Sequence, residues 1–162
     1  MKEPIVSDAG PLISFARAGQ LYLLRQVVGH LQILEAVRDE IVVKGAGRPA
    51  AAEVAQGGWV ASQPLPSTSL TDPLPTSLGK GEKEAIALCR EIGACLLADD
   101  PVARREARSR GIALISLLDI LDEAKAQDLI SDVKPTLDHF IRSGFRLKRT
   151  LYEAKIREAG EQ

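Results

Sequence analysis

Two short apolar runs in this chain each stop on aspartate, and helix-like stretches separate them. Ile5-Val6-Ser7 ends at Asp8, and residues 94–98 end at Asp99-Asp100. Runs that are apolar throughout, rather than alternating, suit strands buried on both faces. Other segments follow the same rhythm. Residues 31–34 and 112–115 are strand-like, and 59–62 read as an edge strand. Strands that alternate with helices specify an α/β fold, with a parallel sheet covered on both faces.

The helices between them are legible from spacing and punctuation. Residues 12–18 follow a turn at Gly10-Pro11, Gly19 breaks the pattern, and Leu21, Leu24 and Val28 continue on one face. Val37 and Ile41 stand four apart in a helical segment over 35–42, and 49–56 form a short Ala-rich helix. Residues 80–92 are the clearest helix, stopped by Gly93 in the manner of a C-cap. Pro101 opens the next helix at a position that needs no N–H, and that helix runs to Arg110. Residues 117–127, 134–142 and 148–158 complete the helices, with a short apolar segment at Leu129-Ile130. Pro, Ser and Thr crowd residues 63–77, which we expect to form a long surface loop within one domain. On this reading residues 1–162 are a single domain, with a core over about 1–130 and a C-terminal helical extension over about 131–162.

Composition narrows the function. With aromatics at 4%, the core must come from Leu, Ile, Val and Ala. No apolar run approaches the roughly 20 residues that span a bilayer, and Asp8 interrupts the N-terminus before any signal-like stretch, so a cytoplasmic location is expected. Cys89 and Cys95 offer no disulfide framework or zinc pattern, because His30 and His139 lie near neither. The net charge of −1 hides segregated cations: Arg104, Arg105, Arg108 and Arg110 form one cluster, and Arg142, Arg146, Lys148 and Arg149 another. Such clusters suit phosphate backbones, although solvated helical faces look the same in sequence.

In parallel sheets, ligands bind beyond the carboxyl ends of the strands. Asp8, Asp99 and Asp100 fall at such ends, Glu82 lies in the first turn of the helix before the second aspartate-ended strand, and Glu40 follows the 31–34 strand. Converging carboxylates repel one another unless a cation joins them, and hard oxygen donors suit Mg²⁺ or Mn²⁺. Such an ion activates water and stabilises a phosphate in displacement. Each residue also has a plainer role. Asp8 can start a turn, Asp100 can cap the Pro101 helix, Glu82 suits a helix N-terminus, and Glu40 can be a solvated helix residue. Glu35, Asp39 and Glu84 read as surface charges. Ser14 is a candidate hydroxyl near Asp8, and Ser116 reads as a helix cap. A dehalogenase-type phosphatase would need an acid where Gly10 stands, and the GxxxxGK[ST] phosphate loop is absent.

The series Ser7-Asp8, Val37 to Ile41, Gly81-Glu82-Lys83-Glu84-Ala85-Ile86-Ala87-Leu88 and Leu96-Leu97-Ala98-Asp99-Asp100 resembles the PIN-domain nucleases, which include the VapC-like toxins. It is closer still to a PIN-related family of prokaryotic proteins with an arginine-containing helix after the second aspartate-ended strand, as in Ala103-Arg104-Arg105-Glu106-Ala107. The stretch Gly144 to Tyr152 is similar to that group too, so the likeness covers nearly the whole chain. It implies a three-layer α/β/α domain and a Mg²⁺-dependent RNase with Asp8, Glu40, Glu82 and Asp99 or Asp100 as its acidic set, Asp8, Glu82 and one or both aspartates holding the metal. It also implies homodimerisation and neutralisation by a small antitoxin. On such a reading RNA is the substrate, and its backbone is held by the first basic cluster, Arg104, Arg105 and Arg108 among it, or by the second. PIN toxins often carry Thr-x-Asp or Ser-x-Asp at the fourth acid, whereas Ala98 holds the hydroxyl position in this chain. A PIN-like module that binds nucleic acid or antitoxin without catalysis is the competing expectation.

Overall fold

The computed structural model describes residues 3–64 and 78–162. Its strands are β1 (Ile5–Ser7), β2 (Leu31–Leu34), β3 (Val60–Gln63), β4 (Cys95–Leu97) and β5 (Leu114–Ile115). All pair in parallel, in the order β3-β2-β1-β4-β5. The central strand β1 is completely buried, as the apolar run Ile5-Val6 requires.

Between β1 and β2 lie α1 (Ala9–Arg17) and α2 (Leu21–Val28). After β2 come α3 (Glu35–Arg38), a π-helical turn (Asp39–Val43) and α4 (Pro49–Gln56). Then follow α5 (Lys80–Ile92), α6 (Pro101–Ser109), α7 (Leu117–Ala126), α8 (Val133–Arg142) and α9 (Arg149–Glu158). Right-handed crossovers decide the layers. The chain steps from β1 towards β3 on one side, then returns past β1 to β4 and β5 on the other. The α1/α2 and α5/α6 connections therefore cover opposite faces, which gives three α/β/α layers. Contacts agree: α5 packs on β1, β2 and β4, while α1 packs on α2, α4 and α8.

Several boundaries differ from the sequence expectation, each for a local reason. Helix α1 begins at Ala9 because the Asp8 carboxylate accepts from Ala9 N–H at 2.8 Å. Pro11 then falls within the first turn, where no intrahelical N–H bond is lost. The segment expected as one helix over 35–42 widens after Arg38, with Lys44 N–H donating to the Asp39 carbonyl at 3.0 Å. Leu129-Ile130 is a turn following Asp128, whose φ is 57°. The loop expected over 63–77 lies outside the described residues, apart from Gln63, which ends β3, and Pro64.

One continuous apolar cluster runs from Ile5 to Ile156. Phe15 of α1 meets Phe140 of α8 edge-to-face, with centroids 4.8 Å apart. Helices α8 and α9 supply Val133, Leu137, Phe140 and Ile156 to this core, and the buried Lys155 ammonium pairs with Asp122. Cys89 and Cys95 are buried, and burial pushes the Cys89 thiol up to about 12, so it is a core residue without nucleophilic character. Among the described residues, no helix is long and apolar enough to cross a membrane.

Candidate active site

The strand order reverses between β1 and β4, and a cleft of about 450 Å³ opens there at the carboxyl edge of the sheet. This is the crevice that doubly wound sheets form between outgoing connections. Asp8 sits at its floor, 7% exposed, with its N–H donating to the Leu97 carbonyl at 3.0 Å. That bond ties the end of β1 to β4 and fixes where the carboxylate starts. Burial, then the charges of Glu82, Glu40 and Asp100, raise the Asp8 carboxyl to about 7, even though the Ala9 N–H bond opposes the shift.

Glu82 enters from above, on the first turn of α5. Its carboxylate accepts from Gly79 N–H at 3.3 Å, which holds it at the helix N-terminus. Gly81 makes this approach feasible: a Cβ at that position would lie 3.0 Å from Val37 Cγ2 of α3. Burial raises the Glu82 carboxyl, and the charges of Asp100 and Glu40 add to the shift. Glu40 reaches the cleft from the π-helical turn. Such wide turns often occur at functional sites because they redirect one or two side chains.

The adjacent aspartates part company. Asp100 caps α6 by accepting from Ala103 N–H at 2.9 Å, and its charge is felt by both Asp8 and Glu82. Asp99 accepts from Leu117 N–H of α7 at 3.1 Å, and its carboxyl is raised by burial while the Arg104 guanidinium opposes the rise. Its second oxygen is buried without a hydrogen-bond partner. Both line the cleft, but only Asp100 belongs electrostatically to the group of Asp8, Glu40 and Glu82.

The donor chemistry suits a hard divalent cation: these are carboxylate oxygens, and the charges of Glu40 and Asp100 help raise the carboxyls of Asp8 and Glu82. Among the described residues, however, no three acid side chains are placed to grip an ion as they stand. The fit therefore rests on shared charge and on the torsional freedom of Glu40 and Glu82, whose backbones already border the cleft.

Two cleft residues went unassigned in the sequence. Asp39, expected as a surface charge, is exposed yet lines the cleft, and Lys44 brings a cation to the same rim. The signal for Lys44 is its i, i+4 spacing from Glu40, which shares a face only once the helix position is known. Ser14 is not among the cleft-lining residues. Ser116 caps α7, accepting from Asp119 N–H at 3.2 Å.

Of the three arginines expected on substrate, Arg104 is already engaged. Its Nη1 donates to the Ala98 carbonyl at 2.7 Å and the Ile115 carbonyl at 3.4 Å, bracing the ends of β4 and β5. Arg105 and Arg108 are exposed, on a groove of about 560 Å³ that Arg146 and Lys148 share. The two basic clusters, far apart in sequence, therefore meet.

Fold and cleft together define an α/β/α domain with an acid pocket at its switch point, an arrangement suited to phosphodiester chemistry. A family model described as PIN domain matches residues 4–161, and the chain belongs to that family, generally a nuclease fold. Among solved structures, a PilT N-terminus domain protein from the archaeon Sulfolobus solfataricus P2 is 16% identical, with a TM-score of 0.47 over 90% of this chain and 97% of that one. No curated protein matches the chain.

Proposed function

We propose that this chain is a divalent-metal-dependent ribonuclease in which Asp8, Glu40, Glu82 and Asp100 hold Mg²⁺ or Mn²⁺. The observation that carries this reading is the convergence of four carboxylates, from β1, the π-helical turn, α5 and the end of β4, on one cleft, where the charges of Glu40 and Asp100 help raise the carboxyls of Asp8 and Glu82. When bound, the ion supplies a nucleophilic water near neutral pH and offsets charge on the phosphate. The chain's own groups do the rest. Asp8, fixed by the Leu97 bond, gives the pocket a rigid base, while the turn bearing Glu40 and the α5 N-terminus bearing Glu82 supply walls. Arg105 and Arg108 lie outside that pocket, where they hold the RNA backbone and leave the reacting centre to the acids.

The test is cleavage of single-stranded RNA by wild type and Asp8→Asn, with Mg²⁺ and with EDTA. Metal-dependent cleavage that the substitution removes supports the reading; cleavage unchanged by either defeats it. One observation favours a second reading, a binding module without catalysis: among the described residues, no three acids grip an ion as they stand. RNA binding without cleavage at any Mg²⁺ or Mn²⁺ concentration would establish that alternative. Kinship with the VapC-like toxins supports a further step, a toxin neutralised by a small antitoxin. Growth arrest on expression, relieved by Asp8→Asn, is its expected sign.

A further inference from the structure

The acid cleft is the middle of three connected cavities. On the β5 side, Asp99 lines both the cleft and the groove that carries Arg105, Arg108, Arg146 and Lys148. On the β2 side, Ile13, Glu40 and Lys44 line both the cleft and a smaller cavity of about 290 Å³, whose rim carries Arg17 and Arg48. The six side chains Arg105, Arg108, Arg146, Lys148, Arg17 and Arg48 are exposed, and among the described residues none has a carboxylate partner. Cations that the fold leaves unpaired on both flanks of an anionic pocket are not explained by stability.

We infer that this is one track for a single-stranded nucleic acid, which lies on both cationic arms at once and crosses the carboxylates between them. Resting on the proposed nuclease reading, it adds a second arm, Arg17-Lys44-Arg48, and makes the cut internal to a strand. Charge complementarity selects a polyanion. The groove on the β5 side favours unpaired bases, because apolar side chains line it, Leu118, Leu147 and Leu151 with the partly buried ring of Phe145. Bases freed from a duplex can stack on such a ring. From β2 to β5 the sheet spans three strand spacings, roughly 14 Å. At about 3.4 Å per stacked nucleotide, a strand shorter than about four nucleotides engages one arm only.

The experiment measures binding of labelled oligonucleotides to the full chain in EDTA, so that no cleavage intervenes, across a salt series. Wild type should bind a 12-mer RNA far better than a dinucleotide, with log Kd rising steeply with log salt. Arg105→Gln/Arg146→Gln and Arg17→Gln/Arg48→Gln should each weaken 12-mer binding at least about fivefold and lower that slope by about 1.4. A flat wild-type salt response overturns the track whatever the variants do, as does a pair whose loss changes nothing. Equal affinity for duplex, or stronger binding of an acidic peptide, overturns the assignment of the occupant. A DNA 12-mer run in parallel separates the two sources of such a strand: binding of DNA alone defeats the ribonuclease reading and leaves the track standing. Tight binding by both arms without Mg²⁺-dependent cleavage does the same, whereas cleavage with arm-insensitive binding removes only the track.

Discussion

Gly81 lies so close to Val37 that a Cβ on it would sit 3.0 Å from Val37 Cγ2. That contact seats the N-terminus of α5 against α3, and with it the distance from Glu82 to Glu40. An alanine in a helix ordinarily stabilises by about 0.5–1 kcal/mol over glycine. At this position the close contact opposes the gain, since overpacking costs about 1–3 kcal/mol. Gly81→Ala should therefore lower the melting temperature or leave it unchanged. Adding Val37→Ala should make the Gly81→Ala step stabilising, a non-additivity that a double-mutant cycle reads directly. A stabilising Gly81→Ala in the otherwise native chain would show that α5 does not depend on this approach.

Asp8 makes stability depend on pH in the direction opposite to that of a salt-bridged carboxylate. Its carboxyl titrates near 7 when folded and near 3.8 when exposed, so the folded state holds the extra proton between those values. Stability contributed by that proton is fully present below about pH 3.8 and is lost as pH rises through about 7. At 1.36 kcal/mol per unit, the loss is on the order of 4 kcal/mol. In EDTA, wild type should lose that stability between pH 4 and 8, and Asp8→Asn should flatten the profile. Chemical denaturation at several pH values checks it. Metal replaces the proton, so stabilisation by Mg²⁺ should grow as pH rises through 7.

Asp99 and Asp100 are separable by substitution. Asparagine caps helices nearly as well as aspartate, so Asp100→Asn should keep stability within about 0.5 kcal/mol. By our reading it loses a metal-holding oxygen and should reduce Mg²⁺-dependent cleavage by about a hundredfold or more. Asp99→Asn keeps an acceptor for Leu117 N–H but loses the charge beside Arg104, so it should cost about 1 kcal/mol of stability. Its effect on cleavage should be under about tenfold. Reversal of the two activity losses would move the fourth acid to Asp99.

The sheet and most helices were readable because their signals are local: apolar runs for strands, and Gly93, Pro101 and Ser116 as punctuation. That Asp8, Asp99 and Asp100 border one cleft was readable because strand ends in a parallel sheet share one edge. What escaped notice depends on contacts between distant segments. The π-helical turn that aims Glu40 and Lys44 leaves no mark in periodicity over five residues. Which of two consecutive aspartates faces Asp8 turns on a backbone N–H of α7, and sequence does not say that α7 lies there. The same holds for the basic clusters, whose meeting follows from α6 and the chain before α9 sharing one groove.

Arg104 is the residue whose role the structure changes most, from a hand on substrate to a strut between strand ends. Its Nη1 serves the carbonyls of Ala98 and Ile115, and no other described side chain donates to either. Removing a charged donor from half-buried acceptors costs about 1–3 kcal/mol. Arg104→Ala should therefore lower stability by roughly that amount, whereas Arg105→Ala, one residue along and exposed, should stay within about 0.5 kcal/mol. Arg104→Lys should recover part of the loss, because the ammonium keeps a charged donor but lacks the rigid guanidinium plane that aims Nη1 at both carbonyls. Thermal denaturation of the three variants checks the ordering. If Arg104→Ala proves as stable as wild type while RNA affinity falls, Arg104 returns to the substrate groove and β4 and β5 must be held together by their own ladder alone.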